Sequence, residues 1–329
     1  MEMSCGRSSA QQNDISQYGT YRHPQRQGAV PTKRIIGGSK THAKAWPWMA
    51  YLIIMTYSQS ELRCGATIVS DRWLITAAHC LTDFWNGTVL VGFKDVHDWY
   101  TQESYLIEST TVHPGYYAYD KMMHNHDIAL IKAVRDIKFN EYVQPICLSA
   151  NDSHFSKNYH FGHVTGWGYH SKPIPHDSES EHNTTQSEEH YVVHGFSDKL
   201  LVARIPFIDY DKCRSYWKLV GVGDGQICAG AFQKGTSMGD SGGPLQVHGI
   251  DGRWYLVGIT SFGEESSDET ALDQDKNPGV YTRVSYYCDF IAKETEGTLT
   301  CDTGSTASGT LVSCFVVLLS LMSHYYRAF

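Results

Sequence analysis

No two cysteines of this chain are spaced as CxxC, so its nine cysteines (5, 64, 80, 147, 213, 228, 288, 301 and 314) carry no zinc-ribbon or thioredoxin signature. Residues 1–34 lack the apolar run of a secretory leader; they are rich in Ser, Gln and Tyr and hold five basic residues against two acids. No apolar stretch reaches the roughly 20 residues that a bilayer-spanning helix needs. A basic excess is missing too. Against 27 Lys and Arg stand 35 Asp and Glu, a net charge of −8, which offers no face for a phosphate backbone and argues against nucleic-acid binding.

What is present is the material of a folded protein: 329 residues, 41% apolar and 12% aromatic, with 19% charged, a composition that excludes disordered, collagen-like and coiled-coil chains. The length allows about two domains, or one large all-β unit. The negative charge is concentrated. Residues 169–198 hold six acids and one lysine, and residues 264–275 hold six acids and no base. Both stretches are polar without apolar periodicity and read as solvated surface loops.

Nine cysteines are many for a reducing compartment, and disulfides are the better reading. Sequons at Asn86, Asn151 and Asn183 agree with an oxidising secretory route and an extracellular or cell-surface location. Since no signal peptide is visible in this N-terminus, the expectation is an incomplete or wrongly assigned start, with unconventional export as the alternative. At the other end, residues 298–310 are small and polar and Leu311–Met322 (LVSCFVVLLSLM) is apolar. That order resembles a glycolipid-anchor signal, with Asp302, Gly304 or Ser305 as attachment points. Its removal would discard Cys314 and leave an even number of cysteines. A terminal buried helix, a disordered tail and a short membrane segment remain alternatives.

Short Val/Ile/Leu/Tyr-rich runs at 49–55, 66–69, 73–76, 88–92, 128–134, 200–205 and 254–260 are separated by Gly, Asp, Asn and Pro turns, which predicts an all-β sandwich or barrel. A helical period shows mainly near 285–296.

Three motifs carry chemistry: TAAHC, ending in His79 and Cys80; HDIAL, with Asp127; and GDSGGP, with Ser241. Together with RIIGG at 34–38, WPWMAYL at 46–52, CGATIVSDRWLITAAHC at 64–80, VTGWG at 164–168 and PGVYTRV at 278–284, they resemble the chymotrypsin-like (trypsin-fold) serine endopeptidases. The likeness runs from Arg34 to about Glu296, some four fifths of the chain. It implies two antiparallel six-stranded β-barrels with a C-terminal helix. It also implies three segments: a 1–34 propeptide, a 35–296 protease domain and a 297–329 polar spacer with an apolar tail.

The chemistry of these residue types agrees. A serine hydroxyl is a poor nucleophile and needs an adjacent base, which His79 supplies before returning the proton to the leaving amine. Asp127 holds the other ring N–H and stabilises the imidazolium. The backbone N–H groups of Gly239 and Ser241 are aimed at the oxyanion. By the family's mechanism, cleavage after Arg34 exposes the ammonium of Ile35, which inserts beside Asp240 and orders the site, so the uncut chain is a zymogen.

The resemblance pairs Cys64 with Cys80 and Cys213 with Cys228, and nominates Cys5 as the partner of Cys147, which keeps a cut propeptide attached. Cys288 and Cys301 remain, with a bond between them around the terminal helix as one option that the sequence leaves open. Two bridges common in the family are absent, with Ser237, Gly162 and Val247 at positions usually held by cysteine, so a more mobile pocket wall is expected. The primary pocket maps to Gly235, Thr236, Met238, Ser261, Phe262, Gly263 and Gly279. Gly235 stands where trypsin-like enzymes have a floor aspartate, which favours an apolar or aromatic substrate side chain over Arg or Lys. The acidic 264–275 stretch argues the other way. Phe93 begins the segment 93–103, which corresponds to the trypsin calcium loop, and occupies a ligand position, so no calcium is predicted. His170, His176, His182, His190 and His194 are irregularly spaced and read as a solvated, pH-sensitive loop rather than a metal site. No cofactor or metal is implied. The implied partners are protein or peptide substrates, an activating trypsin-like protease and protein inhibitors, with membrane attachment through the C-terminus. The rival from another class is a catalytically silent interaction homologue, but none of the three triad residues is lost.

Overall fold

A computed structural model describes residues 5–8, 34–93, 95, 103–117, 124–152, 160–173, 192–264 and 273–303. A short strand β1 (Ser39–Lys40) precedes the first barrel, whose strands are β2 (Met49–Thr56), β3 (Glu61–Ile68), β4 (Trp73–Thr76), β5 (Phe84–Val91), β6 (Glu103–Val112) and β7 (Ala129–Ala133). They close in the order β2-β3-β4-β7-β6-β5. β2, MAYLIIMT, has no polar residue before Thr56, and most of it is buried. β3 starts exposed at Glu61, Leu62 and Arg63 and is buried from Cys64 onward, because only its second half lies under the other barrel.

After β8 (Cys147–Leu148), the second barrel uses β9 (Phe161–Gly166). Next comes a ribbon of β10 (Tyr169–Pro173) and β11 (Val192–Phe196), followed by β12 (Leu201–Ile208), β13 (Gln226–Ala229), β14 (Pro244–His248), β15 (Trp254–Phe262) and β16 (Gly279–Arg283). The order β12-β13-β16-β15-β14-β9, closed by a β12–β9 pairing, makes this the second antiparallel six-stranded barrel. β1 pairs with the start of β12, and β8 runs parallel to the start of β15.

The barrels meet over buried aromatic residues. Trp46, Trp48 and Trp254 pack with ring centroids 4.9–6.2 Å apart. The Trp48 indole N–H donates to Gln246 Oε1, and Gln246 Nε2 donates to Thr165 Oγ1 at 3.0 Å, so polar atoms inside this seam are paired.

Disulfides join Cys5 to Cys147, Cys64 to Cys80, Cys213 to Cys228 and Cys288 to Cys301. The helix Cys288–Glu294 ends the sequence of elements, with Ile291 fully buried. Beyond it, Leu299 is buried, Ala150 N–H donates to Asp302 O at 2.9 Å, and Arg253 Nη2 donates to the Asp302 carboxylate at 2.9 Å. The chain is therefore packed to Asp302. Residues 304–329, with the apolar tail and Cys314, lie outside the described residues. No helix among the described residues is long and apolar enough to cross a membrane.

Candidate active site

His79 lies in the turn Ala78–Cys80 that follows β4, held from behind by the Cys64–Cys80 disulfide. Asp127 is fully buried just before β7. His126 takes a left-handed backbone with φ of +58°, and Ile128 N–H closes the turn on His126 O at 2.7 Å, which aims the Asp127 side chain inward. One carboxylate oxygen of Asp127 accepts from the His79 backbone N–H at 2.9 Å, and the other is 2.8 Å from His79 Nδ1. The second barrel completes this grip. Ser261 Oγ donates to the carboxylate at 2.5 Å and Thr282 Oγ1 donates to the Asp127 carbonyl at 2.8 Å. Burial pushes the Asp127 carboxyl up, but the charge and hydrogen bonds of His79 and the Ser261 hydroxyl outweigh it and hold the group below the usual carboxylate range. Cys64, His79 and Cys80 cluster within 4.8 Å, but both sulfurs are spent in a disulfide and are not thiolate ligands.

Ser241 reaches the same seam from the second barrel. Gly65 N–H donates to Ser241 O at 2.7 Å, which pins the serine loop on β3 next to the Cys64 anchor of the histidine turn. Gly242 N–H to Thr260 O and Thr260 N–H to Gly243 O, both 2.9 Å, stitch it to β15. Approach is close enough to require glycine. A Cβ on Gly65 would lie 2.9 Å from Gly243 Cα, and one on Gly242 (φ +76°) would overlap Thr76 Oγ1. Gly239 has φ +89°. Among the described residues the N–H groups of Gly239 and Ser241 have no acceptor, and Ser241 Oγ makes no hydrogen bond.

At the other end of the serine loop, Asp240 is buried. Its carboxylate accepts from Gly168 N–H at 2.8 Å and Ser237 N–H at 2.9 Å. Side chains at Gly166 or Gly168 would overlap it. Burial pushes its carboxyl up to about 6, against the lowering effect of those hydrogen bonds. No cation pairs with it among the described residues. Ile35 is fully buried among Val164, Leu201 and Tyr281 and has φ +31°, ψ +122°, a strained conformation for a β-branched residue. Gly235 N–H donates to Ile36 O at 3.1 Å, so the 35–38 segment abuts the loop under the pocket. The Arg34 side chain lies outside the described residues.

The residues expected to line the pocket fall on two segments, 235–238 and the ends of β15 and β16. Gly263, just after β15, stands beside Gly279, the first residue of β16, a Cβ on the former lying 3.8 Å from the Cα of the latter. Phe262 packs between Trp217 and His124, with centroids at 5.1 and 4.6 Å. Opposite, Met238 is exposed and Thr236 is buried, its hydroxyl 3.1 Å from that of Tyr281. Ser261, expected in the pocket lining, is buried and spends its hydroxyl on Asp127. One residue that sequence reasoning missed lies at the floor. Gln274 is buried, and its carboxamide fills the volume a Gly235 side chain would occupy.

The remaining expected sites are scattered. Asn86 and Asn151 are exposed, and Asn183 lies outside the described residues. His176, His182 and His190 are also outside; His170 and His194 belong to the β10–β11 ribbon, pairing with Gly195 and Ser171. The ends of the 169–198 stretch are thus paired strands rather than loop. Phe93 is buried and stacks on Trp167 at 4.8 Å.

A fold of two closed six-stranded barrels, with a His–Asp hydrogen bond and a glycine-bound serine loop at the seam, defines a class of two-barrel hydrolases. The family model described as Trypsin matches residues 35–291, and the chain belongs to this family: it is a serine endopeptidase. It is 32% identical over 287 residues to CLIP domain-containing serine protease B4 of Anopheles gambiae, covering 80% of this chain and 71% of that protein. CLIP domain-containing serine protease B14 of the same species is 31% identical over 286 residues, 79% of this chain and 72% of that protein. Atrial natriuretic peptide-converting enzyme of Homo sapiens is 28% identical over 279 residues, 82% of this chain but only 23% of that protein.

Proposed function

We propose that the chain hydrolyses peptide bonds through Ser241 as nucleophile, His79 as general base and acid, and Asp127 as the group that orients the imidazole, by way of an acyl-enzyme. The observation that carries this reading is the buried Asp127 carboxylate gripping His79 through both its ring and its backbone, since an imidazole fixed in one tautomer is what proton removal from serine requires. The unengaged amides of Gly239 and Ser241 support an oxyanion site. The open link is the Ser241 hydroxyl, which such sites often hold loosely before substrate binds.

The proposal extends to activation. The strained Ile35 and the Asp240 carboxylate, which no cation pairs among the described residues, support a zymogen: cutting after Arg34 releases the strain and delivers an ammonium to that carboxylate. Residues 1–34 then act as a propeptide that stays attached through Cys5–Cys147, 35–296 form the protease unit, and 297–329 connect to a tail for membrane attachment. Four disulfides support an oxidising, extracellular setting, in which Asn86 and Asn151 are accessible acceptors for glycans. An activating trypsin-like protease and protein inhibitors are the proposed partners. An apolar or aromatic substrate side chain is favoured over Arg or Lys.

The test is turnover of a mixed peptide library by protein cut after Arg34, with Ser241→Ala and His79→Ala as controls. Cleavage by the parent and none above background by either variant supports the reading; equal cleavage by all three overturns it.

A further inference from the structure

The pocket has a floor side chain, but the floor position does not supply it. Gly230, Gly235 and Gly279 surround the carboxamide of Gln274. A Cβ on Gly235 would overlap that carboxamide, one on Gly230 would come 2.6 Å from Gln274 Cβ, and one on Gly279 would come 3.3 Å from Oε1. Gln274 is 3% exposed. Its orientation is fixed, because Nε2 donates to the Thr236 carbonyl at 2.7 Å and only the amide nitrogen can donate. Oε1 is therefore turned toward the three glycines, buried, and no donor reaches it among the described residues. A buried acceptor left unpaired carries a desolvation penalty that a ligand's donor removes.

Resting on the serine endopeptidase reading above, we infer that Gln274 determines primary specificity. Its Oε1 accepts a hydrogen bond from the side chain on the acyl side of the scissile bond, and that side chain is tyrosine in preference to phenylalanine, lysine or arginine. Because the carboxamide takes the place of a floor side chain, a donor that reaches it must sit at the far end of a long arm. An ammonium or guanidinium would exchange its water there for one neutral acceptor, which is unfavourable. The two acids flanking it in sequence, Asp273 and Asp275, are paired with Lys276 at 2.9 Å and Lys212 at 3.0 Å. A phenol brings a neutral donor on a flat ring that fits beside the bare backbone of Gly263 and Gly279. Phenylalanine fills the same slot and leaves Oε1 unpaired, the situation in which a polar site discriminates against an analogue lacking the hydroxyl.

The experiment uses protein cut after Arg34, with active sites counted by a fluorophosphonate probe, and matched peptides differing only in Tyr, Phe, Arg or Lys before the scissile bond. The expected result is a kcat/KM for Tyr about tenfold above that for Phe, with Arg and Lys lower still. Gln274→Met should bring Tyr and Phe within about twofold by loss on Tyr, and Gln274→Glu should raise Arg and Lys at least tenfold relative to Tyr. Probe labelling together with equal Tyr and Phe rates in the parent, or with Arg or Lys preferred, overturns the inference while leaving the endopeptidase reading intact. Absence of labelling and cleavage overturns both. The parent ratio decides even where a variant does not fold.

Discussion

Ser261 and Asp127 are 134 positions apart in sequence and belong to different barrels, yet the hydroxyl of one donates to the carboxylate of the other at 2.5 Å. The contact ties the orientation of His79 to the docking of the second barrel on the first. Asp127→Asn presents an amide to the ring and is expected to lower kcat by about 10⁴. Ser261→Ala removes one of several supports, and the expected loss is about tenfold in kcat with KM little changed. Steady-state kinetics on cut protein, normalised to probe-titrated sites, checks both.

Asp240 is expected to make the stability of the uncut protein pH-sensitive. Its carboxyl stands at about 6 when folded and near 3.9 when unfolded. Between those values the native state holds the extra proton, so stability is expected to fall as pH rises, by up to about 3 kcal/mol. On the proposed activation, the Ile35 ammonium freed by the cut would favour the ionised form and remove the loss. Urea unfolding of cut and uncut Ser241→Ala protein should give midpoints that diverge in favour of the cut form between pH 4.5 and 7.5. Parallel curves would remove Asp240 from the activation account.

Much of the fold was legible because its strands are β-branched runs broken by turn residues. The runs at 49–55 and 254–260 become β2 and β15. Other elements were not. The ribbon Tyr169–Pro173 with Val192–Phe196 contains Lys, His, Ser and Pro and has no apolar alternation, so its strand state comes from pairing across the intervening stretch. The helix Tyr210–Tyr216 is seven residues long, too short for a periodic signal; its only local mark is Asp209, whose side chain caps Asp211 N–H. His79, Asp127 and Ser241 were readable from motifs, since each sits in a short string whose neighbours set the local backbone. Gln274 was not. It lies in a stretch that reads as solvated, and its place beside Gly235 depends on how two loops meet.

Gly65 offers a test of the serine loop's support that leaves every reactive group in place. A methyl group there would stand 2.9 Å from the backbone of Gly243 and 3.6 Å from Ser241 O. Gly65→Ala should cost about 1–3 kcal/mol in stability and lower kcat/KM at least tenfold, with the Asp127–His79 pair intact by NMR.

The Cys5–Cys147 bridge spans the proposed cleavage point, with a separation of 142 residues. Cut protein should run as one species without reductant and release the amino-terminal peptide with it. Cys5→Ser together with Cys147→Ser should shed that peptide on cutting while keeping activity. Mass spectrometry under both conditions reads the outcome directly.

The central claim is that Ser241 is the nucleophile and that the cut after Arg34 makes it reactive. Labelling by a fluorophosphonate probe, with the adduct located by peptide mass spectrometry, tests both halves at once. The expected adduct is stoichiometric on Ser241 in cut protein, weaker by orders of magnitude in uncut protein, and absent in Ser241→Ala. An adduct elsewhere, or equal labelling before and after the cut, would contradict the account.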